Sequence, residues 1–391
     1  MNDIATLIAT LSAIIFISPY ASKILKIPTT PIEIILGALT AYLGILHEHD
    51  FFEVIAEVGF YYLMFLAGTE VDLRRLLSLK KELLLRGFGY IALLYLFSAV
   101  ICFYFGFSNI YIVIMPLISI GLVLALYKEF GKGHGWLKLS MTIGTLGEFV
   151  SILALTFVSA LLEYEVGENM YRSFLYLAMF LLGMYVIYIS LRILFWWYPE
   201  LKIYLMPLEQ DKEEKDIRLS MALFFLMIAL MLYLHLEIAF GAFLAGILIA
   251  TFFDHKAELP HKLASFGFGF LVPIFFVYIG TTFDPKYIFE EGMILKVAVL
   301  MFLMIGIRFL SSLVFIKILS LKEMLLFALS HSMPLTLLIA VATLAYHSHS
   351  IDKFHYYLFI LVSLAEVLFC MVLIKFLMRK KSKAEKNGLN S

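Results

Sequence analysis

The chain is a succession of nearly uncharged apolar runs, each long enough to cross a bilayer, with short polar segments between them. The runs fall at about 4–25, 31–46, 52–69, 83–106, 108–127, 137–162, 171–198, 217–234, 237–253, 264–282, 294–318, 323–346 and 355–378. A bilayer's hydrocarbon layer needs roughly 17–25 helical residues, so each run reads as one span, the longer ones tilted. Two divisions lie inside longer apolar stretches, at "FGFSN" within 83–127 and at "HLE", His235 to Glu237, within 217–253. The count is thirteen spans. A transmembrane barrel would show short alternating segments instead. A soluble fold is excluded because 62% of residues are hydrophobic, more apolar surface than a globule's volume can hide. The expected class is an all-α polytopic membrane protein.

The basic residues test the count. Segments after odd-numbered spans hold Lys23 and Lys26; Arg74, Arg75, Lys80, Lys81 and Arg86; Lys128, Lys132 and Lys138; Lys202, Lys212, Lys215 and Arg218; Lys256 and Lys262; Lys317 and Lys322. The C-terminal end adds Lys375, Arg379, Lys380, Lys381, Lys383 and Lys386. The opposite side has only Arg172, Lys286, Lys296 and Lys353. One wrong division would swap every later loop and destroy this bias. The positive-inside rule therefore predicts thirteen spans with the N-terminus outside and the C-terminus in the cytoplasm of a cell (inner) membrane protein.

A membrane domain of residues 1–378 is expected, followed by a short basic tail, 379–391, with no glycine-rich nucleotide fingerprint. The charged stretch "YPELKIYLMPLEQDKEEKDIRL" after span seven reads as a solvated connector. Net charge is zero, so no basic face argues for nucleic acid. Cys102 and Cys370 lie in apolar runs and suggest neither a disulfide framework nor a metal site. The opening "MNDIATLIATLSAIIF" lacks a basic start and a cleavage site, and reads as a retained first span.

Ionisable residues at membrane depth are rare and point to function. Four stand out: Glu148 in span six, Arg308 in span eleven ("MIGIRFLSSL"), His331 in span twelve ("LSHSMPLTLL") and Glu366 in span thirteen ("VSLAEVLFC"). Thr145 and Ser151 flank Glu148 at three residues on either side, giving one helix face a polar stripe. Gly144 lies near that face, where a neighbouring backbone can come close. Ser311 and Ser312 follow Arg308 at the next turn. A structural ion pair between Glu148 and Arg308 is the competing reading, and an ordinary interhelical hydrogen bond the competing one for His331 and Glu366.

Prolines sit centrally in span five, "VIMPLISIGL" with Pro116 and Ser119, and in span twelve, "SHSMPLTLL" with Pro334 and Thr336. Proline removes a backbone bond and disturbs the turn before it, which lipid tolerates where the freed groups line a buried or wet cavity. These two spans are seven apart. With span seven as linker, spans one to six repeat as eight to thirteen in opposite orientation, and Glu148 and Glu366 then occupy corresponding helices. Paired interrupted helices in two halves point to a midplane site of an inverted-repeat transporter.

The segments "GFYYLMFLAGTEVDLRRLL" (59–77), "AFGAFLAGILIATF" (239–252) and "FGFLVPIFFVYIGTTFD" (268–284) resemble membrane-domain motifs of bacterial monovalent cation:proton antiporters, in the branch of potassium-efflux transporters and sodium/proton exchangers. The resemblance covers roughly residues 5 to 378. It implies a thirteen-span inverted-repeat fold, a homodimer in membrane lipid, and two crossing, partly unwound helices at Pro116 and Pro334. The family's ion-binding aspartate, which also carries the proton, falls on Glu148, its polar residue near the crossing on Ser119, and its buried basic residue on Arg308. There are departures: the residue before the binding carboxylate is usually Asp, Asn or Gln and here is Gly147, and the carboxylate is Glu rather than Asp.

The function this implies is exchange of Na+ or K+ for H+, with no cofactor and no enzyme chemistry. Glu148 binds either the cation or the proton, helped by Ser119 and Thr145. Arg308 keeps its proton at physiological pH and serves as counter-charge. Glu366, His331, Ser151 and Thr336 are secondary candidates. One carrier carboxylate predicts electroneutral one-for-one exchange. A Na+-coupled symporter of the same general fold and a gated potassium-efflux pathway are the alternatives; the first needs more hydroxyl and amide ligands than Ser119, Thr145 and Thr336 supply.

Overall fold

The computed structural model describes residues 2–47, 49–71, 78–131, 133–163, 168–205, 213–253 and 258–388. Among them every regular element is helical. In chain order they are α1 (Asn2–Leu25), α2 (Thr29–Tyr42), α3 (Asp50–Thr69), α4 (Lys81–Phe105), α5 (Ile110–Ile114), α6 (Gly121–Phe130), α7 (Gly135–Glu163), α8 (Glu168–Trp197) and α9 (Pro199–Leu205). Then follow α10 (Lys215–Leu234), α11 (Ile238–Phe252), α12 (Leu259–Phe266), α13 (Val272–Thr282), α14 (Met293–Ser311), α15 (Leu321–His331), α16 (Leu335–His347) and α17 (Lys353–Gly388). Among the described residues nine helices have the length and apolarity to cross a bilayer, and the pair α15–α16, bent by 43°, makes a tenth. The chain is a multi-pass membrane protein. Arg74, Arg75, Lys132, Lys212 and Lys256, counted above on the basic side, lie outside the described residues.

Local chemistry sets the ends. α4 stops at "FGFSN", where Gly106 adopts φ 67°, a left-handed value that a Cβ disfavours. α10 stops at His235, and Glu237 then accepts from Ala239 N to start α11. α15 opens on a reciprocal capping box between Ser320 and Glu323. α17 continues past the last apolar span through residues 379–388.

The chain divides into two compact units, 1–77 with 156–285 and 78–155 with 286–391. In the first, α2 packs on α13 and α3 packs on α11. Each crossing has glycine on both sides. A Cβ on Gly37 would strike the Val277 carbonyl oxygen, and one on Gly280 that of Ile34. Gly68 and Gly246 stand in the same relation to the carbonyls of Phe243 and Phe65. With no aqueous driving force between helices in lipid, this backbone-to-backbone contact is a main source of association. Leu7 and Ile14 of α1 add an apolar cluster with Phe52, Ile274 and Val277. One widened π turn, Gly267–Leu271, joins α12 to α13.

In the second unit, α4 and α17 each pack on α14, with α4 also on α5 and α17 also on α15 and α16. Two helices here are interrupted: α5 gives way to α6 across residues 115–120, and α15 to α16 across 332–334. Pro116 and Pro334 fall in these breaks.

Candidate functional site

An unwound stretch inside a membrane protein exposes polar backbone groups that must find partners. At the first break those partners are side chains of neighbouring helices. Pro116 has no N–H for the Ile112 carbonyl; Ser98 Oγ of α4 stands 3.2 Å from that carbonyl and 3.0 Å from that of Tyr111. The Leu117 carbonyl accepts from Arg308 Nη2 at 2.6 Å. Ile118 N donates to Ser151 Oγ of α7 at 3.1 Å.

The next residue turns from structure to site. Ser119 Oγ donates to Glu148 Oε1 at 3.0 Å and lies 3.2 Å from Thr336 Oγ1. Thr336 is the second residue of α16, just beyond the second break. The two interrupted helices and α7 thus converge on one carboxylate and two hydroxyls. Glu148 is 3% exposed, and the oxygen-rich cluster around it has the donor chemistry that a hard monovalent cation or a proton requires.

Arg308 is wholly buried on α14. Nη1 donates to the Met304 carbonyl at 2.8 Å, and Nη2 holds Leu117 as above. Nη1 also lies 3.8 Å from Glu366 Oε1 of α17. Glu366 is as deeply buried, and among the described residues neither of its oxygens makes a hydrogen bond. That pair is joined by charge alone. Of the serines after Arg308, Ser312 Oγ donates to the Phe309 carbonyl at 2.6 Å, and Ser311 Oγ makes no hydrogen bond among the described residues.

His331 ends α15 with both ring nitrogens engaged. Nε2 is 3.0 Å from the Ser140 carbonyl, which can only accept, so Nε2 carries the hydrogen. Nδ1 then accepts from Tyr90 Oη at 3.1 Å. Thr145 is also committed, donating to the Met141 carbonyl of its own helix at 2.8 Å.

Gly147 has a steric reason. A Cβ there would lie 2.5 Å from Ile118 Cδ1 and 3.1 Å from Ile118 Cβ. The isoleucine of the unwound stretch fills the space that a larger residue before the carboxylate would take. Gly144 likewise faces His331, whose Nε2 would be 3.4 Å from an added Cβ.

Residues 11–380 match the sodium/hydrogen exchanger transmembrane family. The chain belongs to that family. Among exchanger relatives, the putative Na(+)/H(+) antiporter YjbQ of Bacillus subtilis (strain 168) is 26% identical over 392 residues, covering 92% of this chain and 61% of that protein. The chain therefore spans about three fifths of that relative's length. The probable Na(+)/H(+) antiporter 3 of Methanocaldococcus jannaschii is 25% identical, with 78% of this chain and 79% of that one covered. The ammonium/H(+) antiporter subunit AmhT of Alkalihalophilus pseudofirmus is 26% identical, with 71% and 69% covered. The solved structure of the sodium proton antiporter MjNhaP1 from Methanocaldococcus jannaschii at pH 8 shares the fold, with a TM-score of 0.66 over 96% of this chain and 97% of that one at 15% identity.

Ser98, Tyr90 and Ser140 are absent from the sequence-based set. A single serine or tyrosine in an apolar span carries no signal, since the partners of Ser98 and His331 include main-chain carbonyls that every residue possesses.

Proposed function

We propose that this exchanger-family chain is a secondary transporter that swaps a monovalent cation, Na+ or K+, for H+ across the cell (inner) membrane, electroneutrally, through one carrier carboxylate. The observation that carries the reading is the bond from Ser119 to Glu148 at the point where two interrupted helices meet α7. Cation and proton compete for the same carboxylate, so each can bind only after the other has left. Arg308 supplies fixed positive charge near the break and holds its carbonyl in place. Thr336 offers a further oxygen; Ser151 and Arg308 keep the unwound backbone in shape.

The same reading includes thirteen spans in an inverted repeat, a homodimer, the N-terminus outside and the C-terminus in the cytoplasm. Three internal matches support the repeat. "MPL" occurs at 115–117 and 333–335, "TLGE" at 145–148 answers "SLAE" at 363–366, and "GTEVD" at 68–72 answers "GTTFD" at 280–284. The glycines of the last pair are the crossing glycines, and Thr69 and Thr281 each donate to the carbonyl three residues back. The paired crossings α2–α13 and α3–α11 are those an inverted repeat would interchange.

Everted vesicles carrying a quenched pH dye test the reading. Additions of Na+, K+ and Li+ should dequench it with one or more of these cations, and Glu148→Gln should abolish the response. A response that survives Glu148→Gln, or exchange that generates a membrane potential, refutes it.

A further inference from the structure

The first unit contains a buried carboxylate that the transport reading leaves unused. Glu33, on the second turn of α2, is 4% exposed. Its one polar partner among the described residues is Ser18 Oγ of α1, 3.3 Å from Oε1. It lines a cavity of about 320 Å³ between α1, α2 and the π turn before α13.

Among the described residues that line it, Glu33 is the one ionisable side chain. Pro19 on its wall carries no N–H, so the Ile15 carbonyl loses its helical donor and takes Ser18 Oγ at 3.4 Å instead. Thr29 and Thr30 add hydroxyls. A buried carboxylate with hydroxyl oxygens beside it complements a group that is cationic and rich in N–H, namely a primary ammonium. The volume exceeds what a bare metal ion fills.

The cavity continues into an apolar groove of about 480 Å³, sharing Ile15 and Pro19 with it. Phe16, Tyr20 and Phe270 form its exposed walls. Lys23 lies on the same face of α1, seven residues after Phe16, at the end of the span. The N-terminus of α2 beside it has no side-chain cap, so its first N–H groups remain available to an anion. A carboxylate pocket that adjoins an apolar groove, with Lys23 and an uncapped helix start toward the end of the span, offers partners for the ammonium, the acyl chain and the phosphate of one lipid.

We infer that the pocket formed by Glu33, Ser18 and the π turn, with its adjoining groove, binds a phospholipid whose headgroup ends in a primary ammonium. Glu33 takes the ammonium, Lys23 and the start of α2 take the phosphate, and one acyl chain lies along Phe16, Tyr20 and Phe270. The site is separate from Glu148 and stands whether or not the transported ion is Na+.

Native mass spectrometry of the purified, delipidated full chain tests this. Dioleoyl phosphatidylethanolamine, phosphatidylcholine and phosphatidylglycerol are added separately at equal concentration. Phosphatidylethanolamine should bind about 10-fold more tightly than either, because the trimethylated and amine-free headgroups offer no N–H to Glu33. Glu33→Gln should erase that preference. Gly269→Leu should block the pocket without unfolding, since a Cβ at Gly269 meets nothing within 4 Å; its lipid adduct should fall about 10-fold at unchanged Tm. Equal binding of the three lipids by the unaltered chain overturns the proposal, as does selectivity that survives Glu33→Gln. So does a result in which Gly269→Leu shifts the dimer fraction and leaves lipid binding intact, because a second copy would then be the occupant.

Discussion

Arg308 and Leu117, 191 residues apart in sequence, are joined by a 2.6 Å hydrogen bond from guanidinium Nη2 to a main-chain carbonyl. The bond ties α14 to the unwound stretch one residue before Ile118 and two before Ser119. A neighbouring helix's side chain thus does what the helical ladder cannot do at a break, and it brings a permanent positive charge with it.

Removing that side chain should be among the most damaging single changes in the second unit. Arg308→Met leaves a carbonyl without its donor and Glu366 without its charge partner, a loss of about 3–5 kcal/mol by analogy with broken buried pairs. Arg308→Lys should recover part of the stability, because one ammonium can donate to Leu117 or to Met304 but lacks the planar fork that reaches both. Thermal melting in detergent measures both variants, and the order wild type, Lys, Met is expected.

Ser119→Ala should weaken the transported cation's binding without stopping turnover. The lost hydrogen bond to Glu148 is worth about 1 kcal/mol, so KM for the cation should rise about 5-fold. Dye dequenching at graded cation concentrations gives KM and maximal rate separately.

Gly147→Asn should destabilise the protein by about 1–3 kcal/mol through overpacking against Ile118. Ile118→Ala in the same chain should restore most of the loss, since the clash lies with that side chain. The two singles and the double form a cycle readable by Tm.

His331→Ala should lower stability by about 1–3 kcal/mol, because it strands the Ser140 carbonyl and the Tyr90 hydroxyl in the interior. His331→Gln, with its own donor and acceptor, should recover part of this. A positioning role predicts that the pH profile of exchange in His331→Gln keeps its midpoint; a displaced midpoint would make His331 a proton carrier.

How much of this was legible differs residue by residue. Glu148, Arg308, His331 and Glu366 stood out because a charge or an imidazole in an uncharged run has few innocent explanations. Pro116 and Pro334 foretold the breaks because a missing N–H is written in the residue itself. What Arg308 and His331 bind was hidden, since carbonyls of Leu117, Met304 and Ser140 depend on where chains cross and not on which residues they carry. Glu33 was overlooked because it stands third in its apolar run, 31–46, where an ionisable residue passes for a membrane boundary; α2 in fact begins at Thr29 and buries it. The short helices α2, of 14 residues, and α11, of 15, together with the interrupted α5–α6 stretch, are the three expected spans that a count by length alone leaves out. Reciprocal glycines let two backbones touch and leave little trace in hydropathy.

The interleaving of the two units has a consequence for biosynthesis. A ribosome that has inserted residues 1–155 has delivered the first segment of each unit and completed neither. The Leu117 carbonyl enters the bilayer long before Arg308 is translated, and Gly37 and Gly68 wait for Gly280 and Gly246. Nascent chains must therefore hold an open, water-accessible or translocon-sheltered break until the second half arrives, and the N-terminal half is the stage at which quality-control proteases would find this protein most vulnerable.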